Sequence, residues 1–317
     1  MDIMVSICCL VYNHEKYLRK TLEGFVQQKV NFNYEIIIHD DASTDSSAAI
    51  IREYCEKYPG LFHPILQTEN QHSKRVYISK TFLHPKVRGK YVALCEGDDY
   101  WCDENKLQLQ VDYMESHPDC SMCTHDTAMI DGDGNYIGMC VNGLRKDRDY
   151  DANAVIRADG GGLFQTSSFL AKRHVITEQP ALFNIRGIGD IPMVLHAAVC
   201  GYVHYMGRVM SCYRVGHAGA WSTVNEQQLE RMLLQREKEY EDFTRIDKET
   251  DYKYTKALAI PRGLRLSILY RKKYGIGKLL KKPSHLLMVL RTHCHTFPRR
   301  MYKKYLNKRN RGESIPL

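Results

Sequence analysis

Long apolar runs are absent from this 317-residue sequence. No 18 consecutive residues are apolar, so no transmembrane helix is predicted. The first residues, Met1-Asp2-Ile3-Met4, lack the basic segment that opens a secretory signal, and the apolar stretch that follows ends at Tyr12. We therefore expect a chain that is neither secreted nor threaded through a membrane.

The cysteines lack the pattern of a disulfide framework or a metal site. Their number is odd, 11, and they lie in apolar contexts such as Ile7-Cys8-Cys9-Leu10. The pair Cys120 and Cys123 has no second pair at zinc-binding spacing. We expect reduced core cysteines and a cytoplasmic location.

Acidic residues are nearly absent from the last fifth of the chain. Residues 253–317 contain 18 Lys and Arg against one acid, Glu313, whereas the preceding 252 residues contain 27 basic and 36 acidic groups. The net charges are therefore +17 and −9, although the whole chain carries +8. This contrast predicts that two bodies of opposite charge share the chain. We place the domain boundary before the change in charge, with one domain at residues 1–225 and the other at residues 226–317.

The first part has a repeating pattern of buried strands and amphipathic helices. The ranges 4–11, 34–39, 62–67 and 90–95 are apolar runs typical of buried strands, and helical periodicity follows at 15–28, 46–58 and 104–117. Further along, 120–127 and 202–213 are predicted strands, Asp131 to Gly134 a hairpin turn, and 192–200 and 225–242 helices. This alternation predicts a doubly wound α/β sheet, in which ligands bind beyond the carboxyl ends of the strands.

Acidic side chains follow two of the predicted strands. Asp40 and Asp41 end the strand at 34–39, and Glu96, Asp98 and Asp99 follow the strand at 90–95. Carboxylate oxygens are the ligands that Mg²⁺ and Mn²⁺ prefer. The alternative is an acidic helix start that favours the helix dipole, which accounts for Asp103 and Glu104 but not for the three acids before Trp101.

Residues 3 to about 220 resemble the family 2 glycosyltransferases, which are inverting nucleotide-sugar transferases of the GT-A fold. The resemblance rests on five segments in the family's order. They are VSICCLVYNHEKYLRKTLEGFVQQ, YEIIIHDDASTDSS, YVALCEGDDYW, GGLFQTSSFLAKR and GIGDIPMVLHAAVCG. It implies a Rossmann-like doubly wound mixed sheet, to which the sequence adds a basic helical C-terminal extension outside the family pattern.

The resemblance also implies roles for individual residues. Tyr12 and Asn13 would border the nucleotide pocket, and Asp41, with Asp40 beside it, would accept a hydrogen bond from the base. Asp98 and Asp99 would bind the metal, Mn²⁺ or Mg²⁺, that bridges to the diphosphate, while Glu96 stands where many relatives have Asp. Asp190 matches the general base, although Gly189 replaces the Glu of many relatives.

Further candidates lie near these motifs. His217 is either a third metal ligand or a surface histidine, and Trp101 is either a sugar platform or a packing residue. Thr166 and Ser167 offer hydroxyl groups to a substrate beside the 160–162 glycines. Three basic residues could contact phosphate, although lone basic residues are usually solvated: Lys74, Arg75 and Arg214.

These assignments predict transfer of a sugar from a nucleotide donor, of the UDP type, to a hydroxyl of a glycan or lipid-linked oligosaccharide. A nucleotidyltransferase of the same architecture is disfavoured, because the first strand is followed by Tyr12-Asn13-His14 rather than by a glycine-rich basic loop. A module that binds nucleotide or glycan without catalysis is the third possibility.

The basic extension predicts a second kind of contact. Apolar residues recur at helical spacing within it, as at Leu264, Ile268 and Leu269, which is typical of a basic helix on an anionic membrane surface. A solvated tail or a cover for the acidic body are the alternatives. No nucleic-acid motif accompanies the charge, so no nucleic-acid partner is expected.

Overall fold

The computed structural model describes residues 2–139, 146–157, 164–180, 190–216 and 244–257, together with residues 234, 238, 241, 242 and 290. Its first half alternates strands and helices. The elements are β1 (Ile3–Val11), α1 (Glu15–Val26), β2 (Asn33–Asp40), α2 (Ser47–Lys57), β3 (Phe62–Leu66), β4 (Tyr91–Leu94), β5 (Tyr100–Trp101) and α3 (Lys106–Ser116). Between β3 and β4 lie a π-helical turn, Ser79–Leu83, and a 3₁₀ turn, His84–Lys86.

The second half is less regular. It contains β6 (Cys120–Ile130), β7 (Tyr136–Met139), β8 (Arg148–Tyr150), α4 (Ala152–Arg157), a 3₁₀ turn (Thr166–Ser168), β9 (Leu170–Lys172), α5 (Arg173–Thr177), α6 (Ile191–Cys200) and β10 (Tyr202–Arg214). Residues 244–249 are helical. In the described part of the chain, no helix combines the length with the apolar character that crossing a membrane requires.

The strands form one mixed sheet in the order β3-β2-β1-β4-β9-β6-β10-β5, with β7 beside β6 and β8 beside β10. Pairing is parallel among β3, β2, β1 and β4, and between β6 and β10, whereas β9 runs antiparallel to both β4 and β6. The predicted mixed α/β sheet is therefore confirmed. The carboxyl ends of β1, β2 and β4 lie along one edge, as parallel pairing requires.

Two hydrophobic clusters cover the faces of the sheet. One contains the apolar residues of α1 and α2 and one face of β1, and the other packs α4, α5 and α6 against the opposite face. Ile246, Tyr254 and Ala257 are buried in this second cluster. Residues beyond the predicted domain boundary at residues 225 and 226 therefore pack on the sheet, while the boundary itself stays a prediction.

The region after the acidic cluster contains one element that was not predicted. The helix predicted at 104–117 is confirmed as α3, Lys106–Ser116, but the two-residue strand β5 before it was not expected. β5 pairs with the distant strand β10 through Ser211 and Cys212. Local periodicity carries no signal for such a pairing.

Candidate functional site

A cleft of about 470 Å³ opens at the carboxyl ends of β1, β2 and β4. This volume suits a small-molecule ligand, and the position agrees with the rule for doubly wound sheets. The lining residues are Leu10, Val11, Tyr12, His14, His39, Asp41, Asn70, His72, Ile78, Glu96, Asp98, Tyr213 and Arg214.

Two loops beside the cleft, after β1 and after β2, hold each other in place. The backbone N–H of Asn13 donates to Ser43 Oγ at 2.9 Å, and the Asn13 side-chain oxygen accepts from the N–H of Thr44 at 2.8 Å. Asn13 adopts a left-handed backbone conformation, with φ of 55°, that Asn tolerates better than most residues. The side chain of Asn13 therefore shapes the edge of the cleft.

Asp40 and Asp41 face different partners. The Asp40 carboxylate accepts hydrogen bonds from the backbone N–H and the hydroxyl of Ser43 within its own loop. The Asp41 carboxylate lines the cleft and accepts from the N–H groups of Gln71 and His72, at 2.7 and 3.0 Å. Asp41 thus fixes the loop that forms the outer wall of the cleft.

Tyr12 presents an exposed aromatic ring to the cleft. Its side chain is 46% exposed, which is high for a large residue at the end of a buried strand. An exposed ring on the wall of a cleft offers a stacking surface for a planar ligand.

The acidic residues after β4 lie at the other end of the cleft. Glu96 and Asp98 line it, whereas Asp99 is buried beneath, where one carboxylate oxygen accepts from the N–H of Arg214 at 2.9 Å. In the described part of the chain, the second Asp99 oxygen has no hydrogen-bond partner. The sequence alone did not show that Glu96 and Asp98 would face the cleft and that Asp99 would point away from it.

Negative charge accumulates at this end. The Glu96 side chain is exposed to solvent where it lines the cleft, and the surrounding protein together with the charges of Asp98 and Asp190 raises its pKa above its usual value. Burial, Asp98 and Glu96 raise the pKa of Asp99 well above its usual value. Carboxyl groups that raise one another's pKa in this way repel one another, and a bound cation would relieve that repulsion.

Asp190 immediately precedes α6, and its carbonyl oxygen accepts from the N–H of Val194 at 3.1 Å. The charge of Asp190 contributes to the raised pKa of Glu96, so Asp190 lies within electrostatic range of the acidic end of the cleft.

Two basic residues accompany the acids. His14 Nε2 lies 4.0 Å from an Asp98 carboxylate oxygen. Arg214 is buried, lines the cleft, and donates from Nε to the carbonyl oxygen of Asp98 at 3.0 Å. Its guanidinium carbon lies 4.2 Å from the centre of the Tyr17 ring. A guanidinium fixed in this way is well placed to meet an anionic ligand.

Other predicted residues lie away from the cleft or outside the description. Trp101 is buried, packs edge-on against Phe25, and donates from Nε1 to the carbonyl of Ser167 at 2.9 Å. Ser167 is also buried, and Thr166 is half-buried beside it. The burial of Trp101 and Ser167 argues for packing and against a substrate contact by either. His217 lies outside the described residues.

Three residues of the cleft were missed or undervalued by the sequence reasoning. His14 and His39 carried no distinguishing signal, because a histidine near a strand end is common. Arg214 was one of several isolated basic residues, and its position follows only from the pairing of β10 with β5 and β6.

In the parts of the chain that the structure describes, no three His, Cys, Asp or Glu side chains are arranged as a complete set of metal ligands. A site for a hard divalent cation does not require such a set. Mg²⁺ usually keeps several waters and binds through one or two carboxylates together with substrate phosphates. Glu96 and Asp98 fit this kind of site.

The fold resembles that of two solved structures of other proteins. The S. aureus structure described as TarS 1–349 in complex with UDP-GlcNAc aligns with a TM-score of 0.53 and 14% identity, covering 85% of this chain and 81% of that one. The mannosyltransferase PcManGT from Pyrobaculum calidifontis, in complex with GDP-Man and Mn²⁺, aligns with a TM-score of 0.52 and 14% identity, covering 96% of this chain and 85% of that one. At this identity the likeness shows a shared fold, which confirms the expected GT-A architecture.

Sequence comparison gives closer relatives. An uncharacterised protein of Mycobacterium tuberculosis strain H37Rv is 37% identical over 220 residues, covering 68% of this chain and 60% of its own length. The chain therefore spans about 60% of the length of that relative. The sequence profile described as "Glycosyl transferase family 2" matches residues 6–172, which is more than half of the chain. The chain belongs to glycosyl transferase family 2.

Proposed function

We propose that this protein transfers a sugar, with inversion of its anomeric centre, from a nucleoside-diphosphate donor of the UDP type to a hydroxyl of a glycan or lipid-linked oligosaccharide. The proposal rests on the composition of the cleft, because its two ends are lined by different kinds of side chains. Tyr12 and Asp41 line one end and Glu96, Asp98 and Arg214 the other. The ends of β2 and β4 are separated by two strand spacings, about 10 Å, so one elongated ligand can contact both ends.

The acidic end supports binding of a divalent cation, Mn²⁺ or Mg²⁺. Asp98, with Glu96 in the cleft and Asp99 beneath it, would supply hard carboxylate oxygens, and His217 stays a candidate ligand. When bound, the cation would stabilise the negative charge that develops on the leaving diphosphate. Arg214 would add a fixed positive charge at the same place.

Asp190 is the proposed general base. A carboxylate within hydrogen-bonding reach of the acceptor hydroxyl removes its proton as the sugar carbon is attacked. Direct displacement of the diphosphate from the opposite face inverts the anomeric configuration and forms no bond between enzyme and sugar. The proximity of Asp190 to Glu96 is consistent with this role.

The Asp190→Asn variant tests the proposal. A thermal-shift screen of nucleotide sugars with Mn²⁺ or Mg²⁺ first identifies the donor, because a ligand that binds the folded state raises its apparent stability. We expect Asp190→Asn to lose turnover of that donor by about 10²- to 10⁴-fold while retaining nucleotide binding. The exposed substitution Asp112→Asn is the matched control.

The possible outcomes separate the three candidate functions. Turnover that is unchanged in Asp190→Asn would remove Asp190 as the base. Donor binding without any turnover in the unmodified protein would indicate a binding module. Release of pyrophosphate from a nucleoside triphosphate and a sugar phosphate would indicate a nucleotidyltransferase, which the family assignment disfavours.

We also propose that the basic extension docks on an anionic membrane surface, which would make the protein peripheral at the cytoplasmic face. The support is its charge of +17 over residues 253–317 against −9 for the rest of the chain. Each Lys or Arg near an anionic surface contributes up to about 1 kcal/mol. A transferase that acts on a lipid-linked acceptor would thereby be held near its substrate.

A further inference from the structure

Two cysteines that are distant in sequence lie side by side where β5 pairs with β10. Cys102 directly follows β5, and its backbone N–H donates to the carbonyl oxygen of Met210 at 3.0 Å. Cys212 lies in β10 opposite Tyr100. Because alternate residues of a strand point to the same face, Cys102 and Cys212 are diagonal neighbours on one face of this strand pair.

The thiol groups of the two cysteines contact each other. They are joined by a hydrogen bond between their side chains and belong to one small hydrophobic cluster at the end of the sheet. Cys212 is buried within that cluster, whereas Cys102 packs at its border and is partly exposed. Both are free thiols in the structure. Two thiols in contact, one of them open to solvent, have the placement that disulfide formation requires.

The surroundings of Cys212 favour its thiolate form. The hydrogen bond with Cys102, a second one with Tyr100, and the charges of Lys20 and Arg214 lower the pKa of Cys212, although burial alone would raise it. The other cysteines that the structure describes all have a raised pKa. Since the thiolate is the reactive form of cysteine, this pair is the described place at which oxidation is most favoured.

The pair lies next to residues that organise the acidic end of the cleft. Cys102 follows Asp99 by three residues and Cys212 precedes Arg214 by two, and the N–H of Arg214 donates to the Asp99 carboxylate at 2.9 Å. Diagonal neighbours on paired strands have Cα atoms about 7–8 Å apart, whereas a disulfide bond needs about 4.4–6.8 Å. A bond between Cys102 and Cys212 is therefore expected to shift β5 against β10 and to displace Asp99 from Arg214.

We propose that Cys102 and Cys212 are a site of reversible oxidation by peroxides, and that the disulfide bond formed there lowers activity at the neighbouring cleft. Formation of the bond is independent of the proposed function, and only its effect on donor turnover rests on that function.

The reaction takes place in two steps. One sulfur of the pair, as the thiolate, attacks a peroxide oxygen, so that an S–O bond forms, the O–O bond breaks and hydroxide leaves. The second thiol then attacks the sulfenic sulfur, which forms the S–S bond, breaks the S–O bond and releases water. The two thiols lose two electrons and two protons in total, and hydrogen peroxide is reduced to two molecules of water.

Peptide mapping of the full-length protein tests for the bond. The protein is treated with hydrogen peroxide, the remaining thiols are blocked with N-ethylmaleimide, and trypsin then releases Cys102 in peptide 91–106 and Cys212 in peptide 209–214. We expect these two peptides to be linked, and dithiothreitol to separate them. Fragmentation of the linked product distinguishes Cys102 from Cys95, which lies in the same peptide.

Kinetic measurements test the effect on the cleft. Donor turnover is expected to fall at least tenfold on oxidation, because catalysis depends on positions within about 1 Å, and to recover with dithiothreitol. Cys102→Ser should give no linked peptides and should keep its turnover after peroxide. Cys200→Ser, which alters an exposed cysteine at the end of α6, should respond to peroxide as the unmodified protein does.

Each contrary outcome overturns a defined part of the proposal. Oxidation of the two cysteines to sulfinic or sulfonic acid without linked peptides would overturn the disulfide site, and this result needs no variant to fold. Linked peptides with unchanged turnover would overturn the effect on the cleft. Failure of the reduced protein to turn over any nucleotide sugar would instead overturn the proposed function and the effect on turnover, while linked peptides would still support the oxidation site.

Discussion

Arg214 links the acidic end of the cleft, where we propose that a metal binds, to the turn between β6 and β7. Its Nε donates to the carbonyl oxygen of Asp98 at 3.0 Å, and one terminal nitrogen donates to the carbonyl oxygen of Asp131 at 2.9 Å. Its backbone N–H donates to the carboxylate of Asp99. One residue at the end of β10 therefore fixes the position of both aspartates.

This arrangement predicts that Arg214→Lys is not conservative. A lysine keeps the charge but cannot reproduce a planar fork that reaches two carbonyl groups at once. We expect turnover of the donor to fall by about 100-fold and the free energy of unfolding by about 1–3 kcal/mol, because buried carbonyl groups lose their donors. Steady-state kinetics and urea unfolding measure the two effects.

The control for this prediction is Arg208→Lys. Arg208 is an exposed arginine on the same strand that pairs with Asp103 outside the cleft, and lysine keeps the charge of that pair. If Arg214→Lys and Arg208→Lys retained equal activity, the two hydrogen bonds of Arg214 would have no role in organising the site.

Gly97, between Glu96 and Asp98, is a second position at which we expect a small substitution to reduce activity. A Cβ atom at Gly97 would lie 2.8 Å from Nδ1 of His14 and 2.9 Å from a methyl group of Val11. Both distances are too short, so Gly97→Ala must displace the acidic loop from the loop after β1. We expect at least a tenfold loss of donor turnover, because catalysis depends on positions within about 1 Å.

Gly60→Ala provides the comparison for Gly97→Ala. Gly60 has φ of +82° and no neighbour near its added Cβ atom, so the variant loses stability through backbone strain but keeps the cleft intact. Thermal denaturation and kinetics on both variants separate the effects. Equal activity in the two variants at matched stability would mean that the acidic loop tolerates displacement.

The positions of the acidic strand ends could be predicted from sequence because each follows a long apolar run. Strands such as β1 and β2 are buried on both faces, which gives continuous runs of Val, Ile and Leu with abrupt polar ends. The cleft at the ends of β1, β2 and β4 follows from this pattern and from parallel pairing. The fold class and the position of the cleft could therefore be predicted from the sequence.

The direction in which individual side chains point could not be predicted from the sequence. Asp98 and Asp99 are neighbours in sequence, but one lines the cleft and the other lies beneath it. Trp101 turns into the core because β5 pairs with β10, a strand more than 100 residues away. Short strands with distant partners leave no local periodicity, so the burial of Trp101 and the placement of Arg214 required the tertiary structure.

Lys106 predicts an unusual dependence of stability on pH. Its side chain is fully buried, donates to Gln110 at 2.7 Å, and lies 4.1 Å from the centre of the Trp101 ring. Burial lowers its pKa to about 7 from an ordinary value of 10.5. Between these two values the unfolded chain binds a proton that the folded protein does not, so this residue makes stability rise with pH.

The variant Lys106→Met removes that contribution. We expect Lys106→Met to exceed the unmodified protein in free energy of unfolding by a few kcal/mol near pH 7, and the difference to shrink toward pH 10. Urea unfolding of both proteins between pH 7 and 10 measures the difference in free energy of unfolding. The titration of all other groups cancels in this difference, because the two proteins share those groups. A difference independent of pH would show that Lys106 stays protonated when folded, whereas the exposed control Lys29→Met should show no trend.

The basic extension predicts binding to anionic vesicles. We expect the full-length protein to sediment with vesicles that contain phosphatidylglycerol and not with neutral phosphatidylcholine vesicles, and to be released by salt, since surface attraction is screened within about 10 Å at 0.1 M. Replacing four basic residues of the extension by Gln should reduce binding by about 100-fold or more if each contributes up to about 1 kcal/mol. These residues are Arg299, Arg300, Lys303 and Lys304.

A matched variant distinguishes docking through the basic extension from attraction by the net charge of the whole protein. Replacing four exposed lysines of the folded body by Gln removes the same charge, but each already pairs with an acidic side chain. They are Lys29, Lys57, Lys74 and Lys90. If both variants lost vesicle binding equally, net charge alone would govern attraction and the extension would not be the docking surface. Loss confined to the variant of the extension is the expected result, because only there are basic groups concentrated without acidic partners in the sequence.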